Sequence, residues 1–306
     1  MSALDLEPIE LGTGTCQWGD RGAWGYGVRY GEGDVRSAFE ASLDAGVDFF
    51  DTAELYGLGR SERLLGTFIR SARSPVRVAT KFLPTFWRLR RTSLLAALRG
   101  SLRRLGLERV DLYQVHWPYP PISIETWMDA LADAVQAGLA SAVGVSNFDL
   151  DQTKRAADAL AKRGLSLASN QVHYNLLTRR VETSGLMAYC RAHKIRVIAY
   201  SPLERGILSG KYGPDQLPSN RRFGAFRERQ GLVKIQPLVD RLRSIARVRD
   251  RSPSQIALNW IISKGAMPIP GAKSARQLVE NAGAKGWRLS DEEVASLDQI
   301  SRNVAS

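Results

Sequence analysis

Residues 47–57 read VDFFDTAELYG, and the fold turns on how this stretch is taken. Val47, Phe49 and Phe50 make a short apolar run of the kind that forms a buried strand. The run stops abruptly in Asp51, Thr52, Glu54 and Tyr56, and Gly57 turns the chain. In a barrel or a doubly wound α/β sheet, the carboxyl end of a buried strand is where side chains reach the active-site mouth. A carboxylate and a phenol placed there can act on one small molecule. In the blander reading Asp51 caps the next turn and Tyr56 is a half-buried aromatic, and a motif this short does not choose between the two.

The rest of the chain repeats the pattern. Apolar segments at 10–20, 76–82, 109–118, 140–148, 165–175, 195–203 and 266–272 read as further strands. Helical spacing follows them, with Asp34 and Ser61 as N-caps of the first two helices. Further helices are expected at Thr92–Leu105, 124–137, 150–163, 182–193, 237–249, 254–263 and 290–300, with another after Ser274. A lead before residue 10 is expected to pair as a hairpin, and 204–235 is a long loop after the seventh strand, the usual place for a lid or ligand loop. Successive strand ends fall about one strand-helix unit apart. The economical fold is an α/β protein with a (β/α)8 TIM barrel, one domain over residues 1–306.

Such a barrel gathers the polar strand ends on one rim: Asp51, Tyr56, Lys81, His116, Asn147, Gln171, Tyr200 and Lys273. Lys81 closes an apolar run, and a buried ammonium needs a partner, for which Asp51 is the obvious candidate. A free phenol titrates near pH 10, so an adjacent ammonium is expected to lower Tyr56 and make a tuned proton donor, with His116 orienting a carbonyl or sharing the proton. No nucleophile-base pair or metal-ligand cluster stands among these positions, which disfavours hydrolysis and metal chemistry. A proton donor in redox work needs an electron source, which implies a nicotinamide cofactor. Ser146, Asn147 and Gln171 suit a carboxamide, Tyr200 a stacking face, and Lys211, Arg221 or Arg222, and Lys273 suit phosphates.

Composition narrows the class. Lys and Arg number 43 against 31 Asp and Glu, a net charge of +12, but residues such as Arg99, Arg103 and Arg104 fall where a solvated helix face would lie. The charge therefore reads as surface, with no nucleic-acid partner. No run approaches the about 18 apolar residues of a membrane helix, and the first residues carry no signal pattern, so a soluble cytoplasmic protein is expected. Cys16 and Cys190, the only cysteines, read as reduced, buried thiols.

Taken together, FDTAELYG (50–57), ATKF (79–82), QVHWP (114–118), GVSNF (144–148), SNQVHYN (169–175), AYSPL (199–203) and IPGAKSARQLVEN (269–281) resemble the aldo-keto reductases over nearly the full length. The resemblance implies carbonyl reduction with NADPH, NADH being the lesser cofactor, and Tyr56, Asp51, Lys81 and His116 as the catalytic tetrad. It implies nicotinamide contacts from Ser146, Asn147, Gln171 and Tyr200. Further cofactor positions are Thr15, Cys16, Ser201, Pro202, Leu203, Gly206, Lys211, Arg221, Gly271, Lys273, Gln277, Glu280 and Asn281. Cys16 stands where many members have tryptophan, and Gln277 where many have arginine, with Lys273 displaced. QWGD, the loop after strand seven and PIPGAK look closer to the bacterial and plastid branch that includes pyridoxal-reductase-like members. The substrate would be a small carbonyl compound in a pocket lined by Trp18, Trp24, Trp87, Trp117 and Tyr119, in a monomer or weak homo-oligomer. The rival reading is a cofactor-sensing barrel like the β subunits of potassium channels, which resemble this family.

Overall fold

A computed structural model describes residues 6, 9–218 and 228–305. Eight parallel strands run in the order β1 to β8: β1 Thr13–Gly14, β2 Phe49–Asp51, β3 Arg77–Phe82, β4 Val110–Val115, β5 Ala140–Ser146, β6 Ser169–His173, β7 Arg196–Tyr200 and β8 Met267–Pro268. The sheet curls back on itself where Gly12 N donates to Pro268 O at 3.0 Å, Gly14 N donates to Pro270 O at 3.1 Å, and Gly14 bridges Gly271. A Cβ at residue 14 would lie 2.8 Å from Ile269 O, so this seam closes only over glycine. The result is a (β/α)8 barrel.

Strand periodicity explains why the site sits where it does. Side chains alternate between the inside and outside of a strand. Phe49, Ala79, Leu112, Ile198 and Met267 pack with Leu6 and Ile9 as an apolar plug inside the barrel. Two residues on from members of that plug, on the same face, come Asp51, Lys81, Gln114 and Tyr200. Register places Lys81 beside Gln114 and Ser146 beside Gln171. One period of the strand pattern therefore lays a polar layer on an apolar floor, at the carboxyl ends of the strands.

The opposite strand faces pack on the helices. These are α1 Glu32–Asp44, α2 Arg60–Ile69, α3 Thr92–Leu105, α4 Ile124–Gln136, α5 Leu150–Ala161, α6 Arg180–Thr183, α7 Leu186–Ala192, α8 Arg229–Arg249, α9 Pro253–Ser263, α10 Ala275–Ala282 and α11 Asp291–Ala305. Leu94, Leu98, Leu102 and Leu105 recur at helical spacing on the buried face of α3. Ser252 and Gln255 form a reciprocal cap on α9, with Pro253 in its first turn. No helix among the described residues is long and apolar enough to cross a membrane.

Several local expectations change. The first helix begins at Glu32, with Asp34 inside it accepting from Gly31 N at 2.8 Å. Ser61 is no cap: it is buried, bonded to Thr15 and Thr52, because helix α2 starts one residue earlier. The helix expected at 182–193 divides at Gly185, whose φ of 80° breaks it. Helix α8 starts at Arg229 and runs through Pro237, since burying Leu232 and Ile235 outweighs the lost backbone bond. No hairpin occurs before β1 among the described residues. Arg104 does not belong to a solvated face: its Nε donates at 2.6 Å to the buried Glu62.

Candidate active site

The polar layer forms one side of a cavity of about 630 Å³. Beneath it, Lys81 is fully buried and its ammonium uses all three donors: Asp51 Oδ1 at 2.5 Å, Thr52 O at 2.8 Å and Tyr56 Oη at 3.2 Å. Asp51 is held at its other oxygen by Gln171 Nε2 at 2.8 Å, and its backbone carbonyl accepts from Thr15 Oγ1 at 2.9 Å. Tyr56 opens a tight turn in which Gly57 and Leu58 take left-handed φ values of 55° and 56°. Its ring meets His116 edge-on, with centroids 5.9 Å apart. Since Tyr56 Oη accepts from Lys81, its own proton remains to be given elsewhere.

The electrostatics differ from the expectation in one respect. Burial, then the nearby Asp51 carboxylate, pushes the Tyr56 phenol well above its ordinary value. The ammonium does not turn the phenol into phenolate, because Asp51 already balances Lys81. The phenol is thus a stored proton at neutral pH. His116 goes the other way: burial and then the Lys81 charge lower it to about 3, so it is a neutral imidazole. Its Nδ1 is buried without a hydrogen-bond partner.

The adjacent wall is a chain of polar contacts. Ser146 Oγ donates to Gln171 O at 2.8 Å, and Asn147 Nδ2 donates to Ser146 Oγ at 3.1 Å and to His116 O at 3.0 Å. Tyr200 Oη donates to Asn147 Oδ1 at 2.9 Å. These bonds use both Asn147 amide protons, so the set offers the cavity chiefly acceptor lone pairs, including Gln171 Oε1.

Of the residues expected at the site, Cys16, Trp24, Asp51, Tyr56, His116 and Trp117 line this cavity. So do Ser146, Asn147, Gln171, Tyr200, Ser201, Pro202, Leu203 and Gly206. Lys211, Gly271, Lys273, Gln277, Glu280 and Asn281 complete the set. Five do not. Thr15 is wholly buried behind Asp51. Trp18 is wholly buried in the outer core, its Nε1 donating to Ala272 O at 2.9 Å, so it anchors a loop instead of facing a ligand. Trp87, 65 % exposed, packs on Phe86, and Tyr119, 46 % exposed, stacks on Trp117. Arg221, like Arg222, lies outside the described residues. Cys16 is only partly buried, and burial pushes its thiol up to about 11, which makes it an unreactive wall.

A model of the aldo/keto reductase family matches residues 10–302. The chain belongs to this family. It is 39 % identical over 315 residues to the chloroplastic pyridoxal reductase of Arabidopsis thaliana, covering 99 % of this chain and 85 % of that one. Among solved structures it is similar to the glycerol dehydrogenase of Gluconobacter oxydans, with a TM-score of 0.84, 28 % identity, and 97 % and 93 % of the two chains covered. It is also similar to an aldo/keto reductase from Klebsiella pneumoniae in complex with NADP and acetate, with a TM-score of 0.76, 29 % identity, and 95 % and 91 % covered.

This aldo/keto reductase also lines its cavity with residues that sequence reasoning missed: Gly14, Gln17, Arg205, Ser209, Ser254, Ile269, Pro270 and Arg276. Ile269 and Pro270 lie inside the IPGAK motif and were open to detection. Ser254, in the first turn of α9, carried no signal, because only packing brings that helix end to the cavity. Gln17 is the most informative omission. Its side-chain amide lies where a Cβ at residue 271 would be, 2.1 Å from that position, and its Oε1 is buried without a partner. Among the described residues no group of His, Cys, Asp and Glu is arranged to hold a metal ion.

Proposed function

We propose that this aldo/keto reductase reduces aldehyde or ketone carbonyls to alcohols with NADPH, Tyr56 giving the proton to the carbonyl oxygen. The observation that carries the reading is the Lys81 ammonium donating to Asp51 and to Tyr56 Oη, which leaves a protonated phenol beside the cavity. The cavity suits a dinucleotide. Gln17 Oε1 is a buried acceptor lacking a donor, Gln171 Oε1 and its neighbours offer acceptors for a carboxamide NH2, and Arg205, Lys211, Lys273 and Arg276 offer cations for phosphates. The nicotinamide supplies the hydride when bound.

The chain's own residues then divide the work. Tyr56 holds the proton until negative charge develops on the carbonyl oxygen, when the Lys81 ammonium stabilises the phenolate left behind. His116, neutral and lining the cavity with Nδ1 buried, has Nε2 left to act there. The Nε2–H tautomer leaves the buried Nδ1 as an unpaired acceptor, which is less costly than an unpaired donor, and lets Nε2–H steady the same oxygen. Asp51 keeps Lys81 in place, and Gln171 joins Asp51 to the carboxamide site. Trp24 and Trp117 suit a flat aromatic aldehyde. The likeness to a pyridoxal reductase makes pyridoxal the first compound to try. The cofactor-sensing alternative has no observation in its favour.

The test follows NADPH absorbance with pyridoxal, other aromatic aldehydes, aliphatic aldehydes and ketones. Turnover is expected, fastest on the aromatic aldehydes. Tight NADPH binding without turnover on any of them would overturn the enzymatic reading.

A further inference from the structure

We infer that His173 is a positioning residue for the dinucleotide: it braces two walls of the cavity without touching the ligand, an inference that rests on the NADPH reading above. His173 ends β6 and is the register partner of Tyr200 at the end of β7. Their rings stack, with centroids 5.2 Å apart and planes 10° from parallel. Tyr200 thus has a rigid backing on one side while lining the cavity. Its hydroxyl, bonded to Asn147 Oδ1, passes that rigidity on to the residue that holds His116 O.

The second wall is the turn after β7. Ser201, Glu204 and Arg205 have φ values of 51°, 43° and 56°, a left-handed backbone that side-chain-bearing residues hold only when their surroundings fix them. Ser201, Leu203, Arg205 and Gly206 of this turn line the cavity. What fixes it is the buried carboxylate of Glu204, bonded to His173 Nε2 at 2.9 Å and to Asn175 Nδ2 at 3.0 Å. Asn175 Nδ2 also reaches Ser201 O at 2.9 Å, and its Oδ1 accepts from Leu177 N and Thr178 N. Burial opposes ionisation of Glu204, and the bonds from His173 and Asn175 more than offset it, holding the carboxyl below its ordinary value. One imidazole therefore touches both the stacking platform and the staple of the strained turn. A disturbance at His173 loosens both walls at once.

Three variants separate the parts. His173→Phe keeps a flat ring against Tyr200 and removes the bond to Glu204. His173→Gln restores a donor near the Nε2 position. Glu204→Gln removes the charge and keeps the shape. The dissociation constant for NADPH, read by protein fluorescence, is expected to rise about tenfold in His173→Phe, the worth of one charge-assisted hydrogen bond. The KM for NADPH should rise with it, and kcat should change much less. His173→Gln is expected to return to within about threefold of the parent, and Glu204→Gln to lie between. NADPH binding by His173→Phe equal to the parent's would overturn the inference, as would a loss in which kcat and melting temperature fall together and His173→Gln rescues nothing. A parent protein that binds NADPH but reduces no carbonyl would sink the reductase reading alone. One that binds no NADPH would sink both.

Discussion

On the β2–β4 side of the cavity, Lys81 and Asp51 are 0 % and 2 % exposed and every donor of the ammonium is used. On the β7–β8 side stand a turn with left-handed residues, a glycine seam and Gln17 Oε1, a buried acceptor with no partner. The first side is held by its own charge pairing, with His116 Nδ1 its unpaired exception at the cavity. The second is where the proposed dinucleotide would lie. Chemistry demands the former, because a proton donor must keep its position and protonation state through the reaction. Binding tolerates the latter, because polar groups left unsatisfied before binding are satisfied by the ligand.

The largest effect should come from the paired side. Tyr56→Phe is expected to lower kcat by about 10²- to 10⁴-fold while NADPH binding stays close to the parent's, as measured by turnover and fluorescence titration; unchanged turnover would remove the phenol from the mechanism. Next is stability. Lys81→Met strands the Asp51 carboxylate and should cost about 3–5 kcal/mol by urea unfolding, much of it recovered in Lys81→Met/Asp51→Leu. The surface pair Arg155–Glu125, 54 % and 47 % exposed, should by contrast leave the urea midpoint where it is when Arg155 is replaced by alanine.

Two pH dependences follow from the same side. His116 titrates at about 3 in the fold, below its ordinary 6.5. The unfolded chain therefore takes up a proton first as pH falls, and stability present above pH 6.5 is lost on the way down to about 3, by at most about 1.4 kcal/mol per pH unit. His116→Phe should flatten that part of a stability profile. Because the Tyr56 phenol is raised, kcat/KM for reduction should not fall before pH 10; a fall beginning near pH 8 would mean that a different acid acts. The smallest effect on function belongs to the side the ligand would complete. Gly271→Ala would push against the Gln17 amide and should weaken NADPH binding about threefold, and in a Gln17→Ala background the same change should cost nothing further.

Much of this was legible in the sequence where local pattern and tertiary position coincide. Strand ends announce themselves by an apolar run meeting polar residues, so Asp51, Lys81, His116, Asn147, Gln171 and Tyr200 could be placed on one rim. The aromatic residues were misjudged for the converse reason. A tryptophan carries no local mark of which side of a loop it faces: Trp18 turned into the core and Trp87 out to solvent, and only Trp24 and Trp117 met the cavity. The expected helix start at Pro237 falls eight residues inside α8, because the apolar contacts that extend the helix back through the proline come from elsewhere in the chain.

By itself the sequence determined the order of strands and helices, the polar residues at the strand ends, and the identity of the side chains proposed to do chemistry, because each depends on near neighbours along the chain. Only the tertiary structure decided that the Tyr56 phenol is raised and not lowered, that Gln171 bonds Asp51, and that His173 backs Tyr200. Those facts depend on distances between residues far apart in the chain and on how much water burial removes, and neither quantity is carried by any local run of residues.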